Sequence, residues 1–369
     1  MGFSQFHGNR DVVGNLRGML ARDRFPHAVI LAGPQGAGKY TLAQMVAKAM
    51  NCLAPPAARA GDAAALPDFC GQCRNCTRIA QADDLDARFA EAVEARENLR
   101  DADKQETRIF VQTHPDVLVI PPDPPQMMIK VDQVRHVIAS IYYRPSEGRR
   151  RVYIFTAAAF MKEAANSLLK ALEEPPEYAT LFLLAENAGA LLPTIRSRCV
   201  TLQLAPLAAD EIERDLARVH PDWKPAQRKL VARLSGGAVG RARSFNLAAY
   251  TDARRDALTL LNTAVRAEDH SALFRATESY RAGAEGRDKT DQLLRALYSV
   301  LEDLLFLKAA TPELVRNHDI AAELQRLADS VDFDWLAASV ERAGQVESGM
   351  RRNLLRSLSL DAMAAGLEK

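Results

Sequence analysis

At 369 residues, with 48% hydrophobic and 26% charged residues, the chain has an ordinary globular composition and a length that suits two or three domains. A formal net charge of +1 excludes a bulk field drawing the whole molecule to nucleic acid or anionic lipid, so any such contact must come from a local patch. No apolar run reaches the roughly 18 residues of a membrane span, and the opening stretch lacks the apolar core of a signal peptide, so a cytoplasmic protein without membrane contact is expected.

Residues 3–24 read as a helix-bearing lead-in, with Val12, Val13, Leu16, Met19 and Leu20 at helical spacing. Ala28–Ala32 is a short apolar run, expected as a strand buried on both faces. Gly33-Pro34-Gln35-Gly36-Ala37-Gly38-Lys39 follows, then a helical segment carrying Leu42, Met45, Val46 and Ala49. Strand, glycine-rich turn, Lys and helix is the layout of a phosphate-binding loop. Gly33, Gly36 and Gly38 let backbone N–H groups converge, the helix N-terminus adds positive potential, and the Lys39 ammonium meets the outer phosphates. The pattern asks for Ser or Thr next, because its hydroxyl ligates Mg²⁺. Tyr40 stands there instead, and Thr41 comes one place late.

Five cysteines, an odd number, argue against a disulfide framework in a cytosolic chain. Cys52 precedes a tight Cys70-x-x-Cys73-x-x-Cys76 cluster. Four soft thiolates fill a tetrahedral Zn²⁺ shell and leave no position for water, so the expected role is structural. Cys199 reads as a small buried residue. Residues 77–107, charged and rich in Ala, read as a surface helical insertion without chemistry of its own.

Val117–Ile120 is a second strand and 121–125 a stiff proline loop. Asp132–Tyr142 is an amphipathic helix, stopped by Arg144-Pro145. Arg149-Arg150-Arg151 is a candidate basic patch, but reads more simply as a solvated turn. Val152–Phe155 is a third strand, Lys162–Leu172 a helix, Leu181–Ala185 a fourth strand and Val200–Leu204 a fifth. Strands alternating with helices predict a mainly parallel α/β sheet.

A phosphate-loop ATPase needs acids at the end of the strand beside the loop. Val152–Phe155 is taken as that strand, yet Thr156-Ala157-Ala158-Ala159 follows and no carboxylate comes before Glu163. With Tyr40, both protein contributions to a magnesium site are missing, which argues against a working ATPase. In Thr194-Ile195-Arg196-Ser197-Arg198-Cys199, a guanidinium at the domain edge can reach a neighbouring subunit's nucleotide. Past Pro206 only helical patterns remain: short helices over 208–248 around the glycine turn 235–241, then longer ones. Leu294, Leu297, Leu301, Leu304 and Leu305 form one stripe, and Leu354, Leu355, Leu358 and Met363 fall near another. Both a bundle core and a bundle that also packs against sister subunits remain open.

Several stretches in order resemble the delta-prime family of bacterial DNA polymerase III clamp-loader subunits, within the AAA+ group. They are His27-Ala28 before the loop, the four cysteines, His114-Pro115-Asp116, the run from Ile129 to Arg135, the run from Ala164 to Pro176 and the run from Leu192 to Cys199. The resemblance covers 27–206. It implies an AAA+ nucleotide-binding-type domain over 1–206, with a zinc module (52–76) and the insertion (77–107). It further implies a helical lid over 207–248 and a C-terminal helical collar for oligomerisation over 249–369. The implied partners are motor subunits and a delta subunit, and through the complex the sliding clamp and primed DNA. The implied role is that of a rigid member of the DNA polymerase III holoenzyme. It does not turn over ATP but presents Arg198 in trans to a neighbouring motor subunit. Gly33, Gly36, Gly38, Lys39, Tyr40, Thr41 and Arg241 are then the residues that could hold ATP unhydrolysed, and Cys52, Cys70, Cys73 and Cys76 the zinc ligands. The spacing before Cys70 and the 77–107 insertion are longer than the family pattern.

The alternative is a gamma/tau-type motor subunit of the same assembly, which shares the cysteines and the Ser-Arg-Cys. It should carry Lys-Ser/Thr in the loop and Asp-Glu after the third strand; Tyr40 and Thr156-Ala157 depart from both. A small-molecule kinase would leave the zinc knuckle and the C-terminal bundle unexplained.

Overall fold

The computed structural model describes residues 2–56, 66–266, 283–351 and 356–367. It divides into two compact units, residues 1–208 with 237–241, and residues 209–236 with 242–369.

The first unit is built on strands β1 (Ala28–Ala32), β2 (Val111–His114), β3 (Val117–Ile120), β4 (Arg151–Phe155), β5 (Ala179–Ala185) and β6 (Val200–Gln203). Their order across the sheet is β2-β3-β4-β5-β1-β6. All neighbouring pairs are parallel except β2 with β3. Parallel strands need crossover helices, and those helices cover both faces, which is why β1 and β5 are apolar at nearly every position. Side chains alternate between faces. Val29, Leu31, Phe182 and Leu184 pack under the helices α1 (Arg10–Ala21), α2 (Lys39–Asn51) and α3 (Arg74–Ala80).

The opposite face carries Ile30, Tyr153, Phe155 and Leu183. It packs against Val134, Val137 and Ile141 of a helix spanning Val131–Ile141 and against Leu168 and Leu172 of one spanning Lys162–Glu173. Between α3 and β2 lie α4 (Leu85–Glu97) and α5 (Asp101–Glu106), and the two helices on this opposite face are α6 (Val131–Ile141) and α7 (Lys162–Glu173).

One strand was not foreseen, and three expectations need correction here. β2, unforeseen, is an antiparallel edge strand of four residues, too short to show a period. Val152–Phe155 does not lie beside the loop strand, because β5 is inserted between β4 and β1. The 77–107 segment is helical but not merely superficial. Arg96 is buried and pairs with the fully buried Asp123 at 2.5 Å, so the segment is tied into the domain. The three arginines are neither a solvated turn nor a free patch. Arg149 donates to the Met50, Ala49 and Cys52 carbonyls, satisfying the open C-terminal end of α2. Arg150 donates to Glu177 O and pairs with Asp23, and Arg151 donates to Ser140 O.

The second unit is helical: α8 (Pro193–Arg196) closes the first unit, and α9 (Ala209–Val219), α10 (Pro225–Leu234), α11 (Val239–Arg243) and α12 (Leu247–Arg266) follow in the chain. After them come α13 (Gly283–Lys308), α14 (Ala321–Ser330), α15 (Phe333–Arg351) and α16 (Arg356–Ala365). Leu294, Leu297, Leu301 and Leu304 of α13 are core residues together with Leu260, Leu261, Leu327 and Met363. Leu305 is not: at 43% exposure it lies one position off the buried face. Leu354 and Leu355 lie outside the described residues, as does the side chain of Leu358. A polar cluster pins the bundle, in which Asn317 bonds to Asp303 and Ser299, and Arg254 pairs with Asp319 at 2.7 Å. No described helix is long and apolar enough to cross a membrane.

Candidate functional site

The glycine-rich loop joins β1 to α2 at the carboxyl ends of the parallel strands, where open α/β sheets bind ligands. Gly36 and Gly38 take φ of 80° and 87°, and Gly38 is the N-cap of α2. A side chain at Gly36 would meet the Arg241 backbone N at 2.7 Å. The loop is thereby held against 237–241, with Gly240 N–H donating to Gly36 O at 2.9 Å. Arg241 thus meets the loop through its backbone. Gln35, Gly36, Gly38, Lys39, Tyr40, Thr41, Leu85, Thr156–Ala159 and Glu186 line a cleft of about 850 Å³. Gly33 is not among the lining residues; its N–H donates to the O of Ala185, which is.

Lys39 folds back on the loop, its ammonium donating to Gly33 O at 2.6 Å and Pro34 O at 2.8 Å. Burial holds its pKa below the ordinary value, and the Glu186 carboxylate partly offsets this. Tyr40 makes no metal seat with its hydroxyl. The phenol donates to Ala82 O at 2.5 Å and accepts from Gln44 Nε2 at 2.7 Å. Burial pushes its pKa up. Thr156–Ala159 do line the cleft, although β4 is one strand removed from β1.

Glu186 is the acid that reading the chain segment by segment missed. Attention rested on the residues after β4, whereas β5 is the strand paired to β1, with Ala185 opposite Ala32. The rule that ligands sit past the ends of neighbouring parallel strands would have singled it out.

The second site is the cysteine cluster. Cys52 is the C-cap of α2 and Cys73 the N-cap of α3, so two helix ends present thiols to one point. The Sγ atoms of Cys52, Cys70, Cys73 and Cys76 all lie within 4.8 Å of one another. Cys52 stands 3.5 Å from Cys70 and 4.0 Å from Cys73. A tetrahedron with metal–sulfur bonds of ~2.3 Å has edges of about 3.8 Å, so the two Cys52 distances bracket the edge of a four-thiolate metal site. Backbone N–H groups of Leu53, Cys70 and Cys73 point at the sulfurs, as second-shell donors to thiolates do. Burial pushes the Cys52 and Cys76 thiols up. In Cys73 the burial penalty is outweighed by the N–H groups of Cys76 and Leu53, which bring it to about 6. Cys199 stands apart, half-buried, its thiol pushed by burial to about 11.

Arg198 lies in the short connection between α8 and β6. It is held by Thr194 O at 2.9 Å and by Glu173 Oε1 at 2.6 Å. The Glu-Glu-Pro-Pro and Ser-Arg-Cys stretches, separate in sequence, therefore meet in space.

A family model described as DNA polymerase III, delta subunit, matches residues 8–208. The chain belongs to this family. Among its relatives is the DNA polymerase III subunit delta' of Pseudomonas aeruginosa, 34% identical over 220 residues, or 59% of this chain and 55% of that one. The delta' subunit of Bacillus subtilis is 25% identical over 84% of this chain and 80% of its own. The tau subunit of Escherichia coli is 26% identical over 93% of this chain but 42% of its own, so the chain spans about half the length of the first relatives it matches. A gamma subunit-related protein of Thermotoga maritima aligns over 97% of this chain and 98% of its own, with 17% identity and a TM-score of 0.43. The family match stops at 208, at the end of the first unit's continuous segment.

Proposed function

We propose that the chain is the non-hydrolysing, delta-prime-type subunit of a DNA polymerase III clamp loader in the cytoplasm. In this reading 1–206 is the AAA+ domain, 207–248 a lid and 249–369 the collar. It works with motor subunits and a delta subunit to load the sliding clamp onto primed DNA. Cys52, Cys70, Cys73 and Cys76 hold a structural Zn²⁺, which would lock the end of α2 to α3. Arg198 is offered to a neighbouring subunit's nucleotide, with Glu173 keeping the guanidinium ready. ATP is a ligand the loop holds without turning over.

The observation that carries this reading is the state of the magnesium seat. The hydroxyl at position 40 is committed to Ala82 and Gln44, and the chain after β4 supplies only Thr156 and three alanines. The test is steady-state ATP hydrolysis by the isolated protein beside Lys39→Ala. The two should be indistinguishable, and turnover clearly above the variant would overturn the reading. The motor-type alternative is supported by the long alignment with tau and by the carboxylate of Glu186 in the cleft. The same assay decides between them.

A further inference from the structure

The cleft around Lys39 contains an acid, Glu186, to which the non-hydrolysing reading assigns no part. Among its described lining residues Glu186 is the sole carboxylate. The sheet sets its place: Ala185 pairs with Ala32, and Gly33 N–H donates to Ala185 O at 3.1 Å, so the residue after β5 stands beside the first glycine of the loop. The same Gly33 accepts from the Lys39 ammonium. The cation that would meet an incoming phosphate is thus already engaged by loop carbonyls, with a negative side chain close by.

We propose that Glu186 is a specificity-determining residue, a resident anion that opposes the terminal phosphate, so that the pocket takes a nucleoside diphosphate in preference to a triphosphate. The inference rests on the nucleotide-holding part of the reading above. Loop amides cradle the inner phosphates, whereas the Lys reaches the outer ones. A carboxylate at the Lys therefore acts on the outermost charge and much less on the inner ones. A magnesium ion would ordinarily neutralise part of a triphosphate, but Tyr40 withholds the hydroxyl that would hold it. Glu186 is exposed, so solvent screens the repulsion, and the expected discrimination is about fivefold rather than absolute.

The test is calorimetric titration of the full zinc-loaded chain with ADP and with ATP, in magnesium-free buffer and again with Mg²⁺, for wild type and Glu186→Gln. Melting temperature serves as the folding control, and Glu186→Ala as a second variant. Wild type should bind ADP about fivefold more tightly than ATP. In Glu186→Gln, ATP affinity should rise by about the same factor while ADP affinity moves little. The gain should fade near about 1 M salt, where the screening length is ~3 Å. An unchanged ATP-to-ADP ratio, or no binding of either nucleotide to either protein, overturns the proposal. Weaker Mg²⁺–ATP binding by the variant also overturns it, because Glu186 would then be a metal ligand. ATP turnover by wild type is a separate readout and bears on the non-hydrolysing role alone.

Discussion

Tyr40 sits where a metal-binding hydroxyl belongs, but its phenol is spent on the Ala82 carbonyl just past α3. Tyr40→Phe removes a donor to Ala82 O and an acceptor for Gln44 Nε2, and should lower stability by about 1 kcal/mol in chemical denaturation. Lys39 allows a pH prediction. Its folded pKa lies below the unfolded value, so between the two the unfolded chain binds more protons and stability rises with pH. Unfolding free energy should therefore climb as pH approaches 10.5 from below, and Lys39→Met should flatten that climb. At this scale the sequence was informative about which residues carry chemistry. It was silent about what each one touches: the Lys39–Glu186 and Arg198–Glu173 neighbours come together only through sheet order and helix ends.

The element that organises the first unit is α2. Its N-terminus forms the phosphate loop and its C-cap is a cysteine of the cluster, about 20 Å apart for 13 residues. Tyr40, Gln44 and Lys48, at i, i+4 and i+8, share one face. Lys48 pairs with Asp83 at 2.5 Å, so that face docks on the segment following α3. The cysteine cluster and the loop are thus held by one helix. Cys70→Ser should reduce bound zinc to well below one equivalent per chain by elemental analysis, and lower thermal stability by about 2 kcal/mol or more. Full zinc with one thiolate removed would contradict the four-thiolate site. β1, the loop and α2 were legible because each signal is local: an apolar run, closely spaced glycines before a Lys, helical spacing. β2 and the placement of β5 between β1 and β4 were not, because strand order is set by crossovers that leave no mark in any one segment. The same non-local cause hid the role of Arg149 at the end of α2.

For the whole molecule, the family match covers the sheet-bearing unit, while the helical remainder was legible only as amphipathic stripes. Leu305 shows the limit of that reading, since a stripe identifies the buried face to within one residue and no better. The proposed role is a relationship between subunits: a nucleotide fold retained as scaffold, with Arg198 facing outward to act on a neighbour. Glu173→Gln should leave stability within about 0.5 kcal/mol, as expected for an exposed pair, while loosening the guanidinium. The decisive measurement is ATP hydrolysis by the loader reconstituted from candidate motor and delta subunits with either wild type or Arg198→Ala. The variant should assemble normally but slow hydrolysis, as the one site it faces drops by about 10³-fold. Normal assembly with unchanged hydrolysis would contradict the role assigned to this arginine and, with it, the reason for keeping the fold.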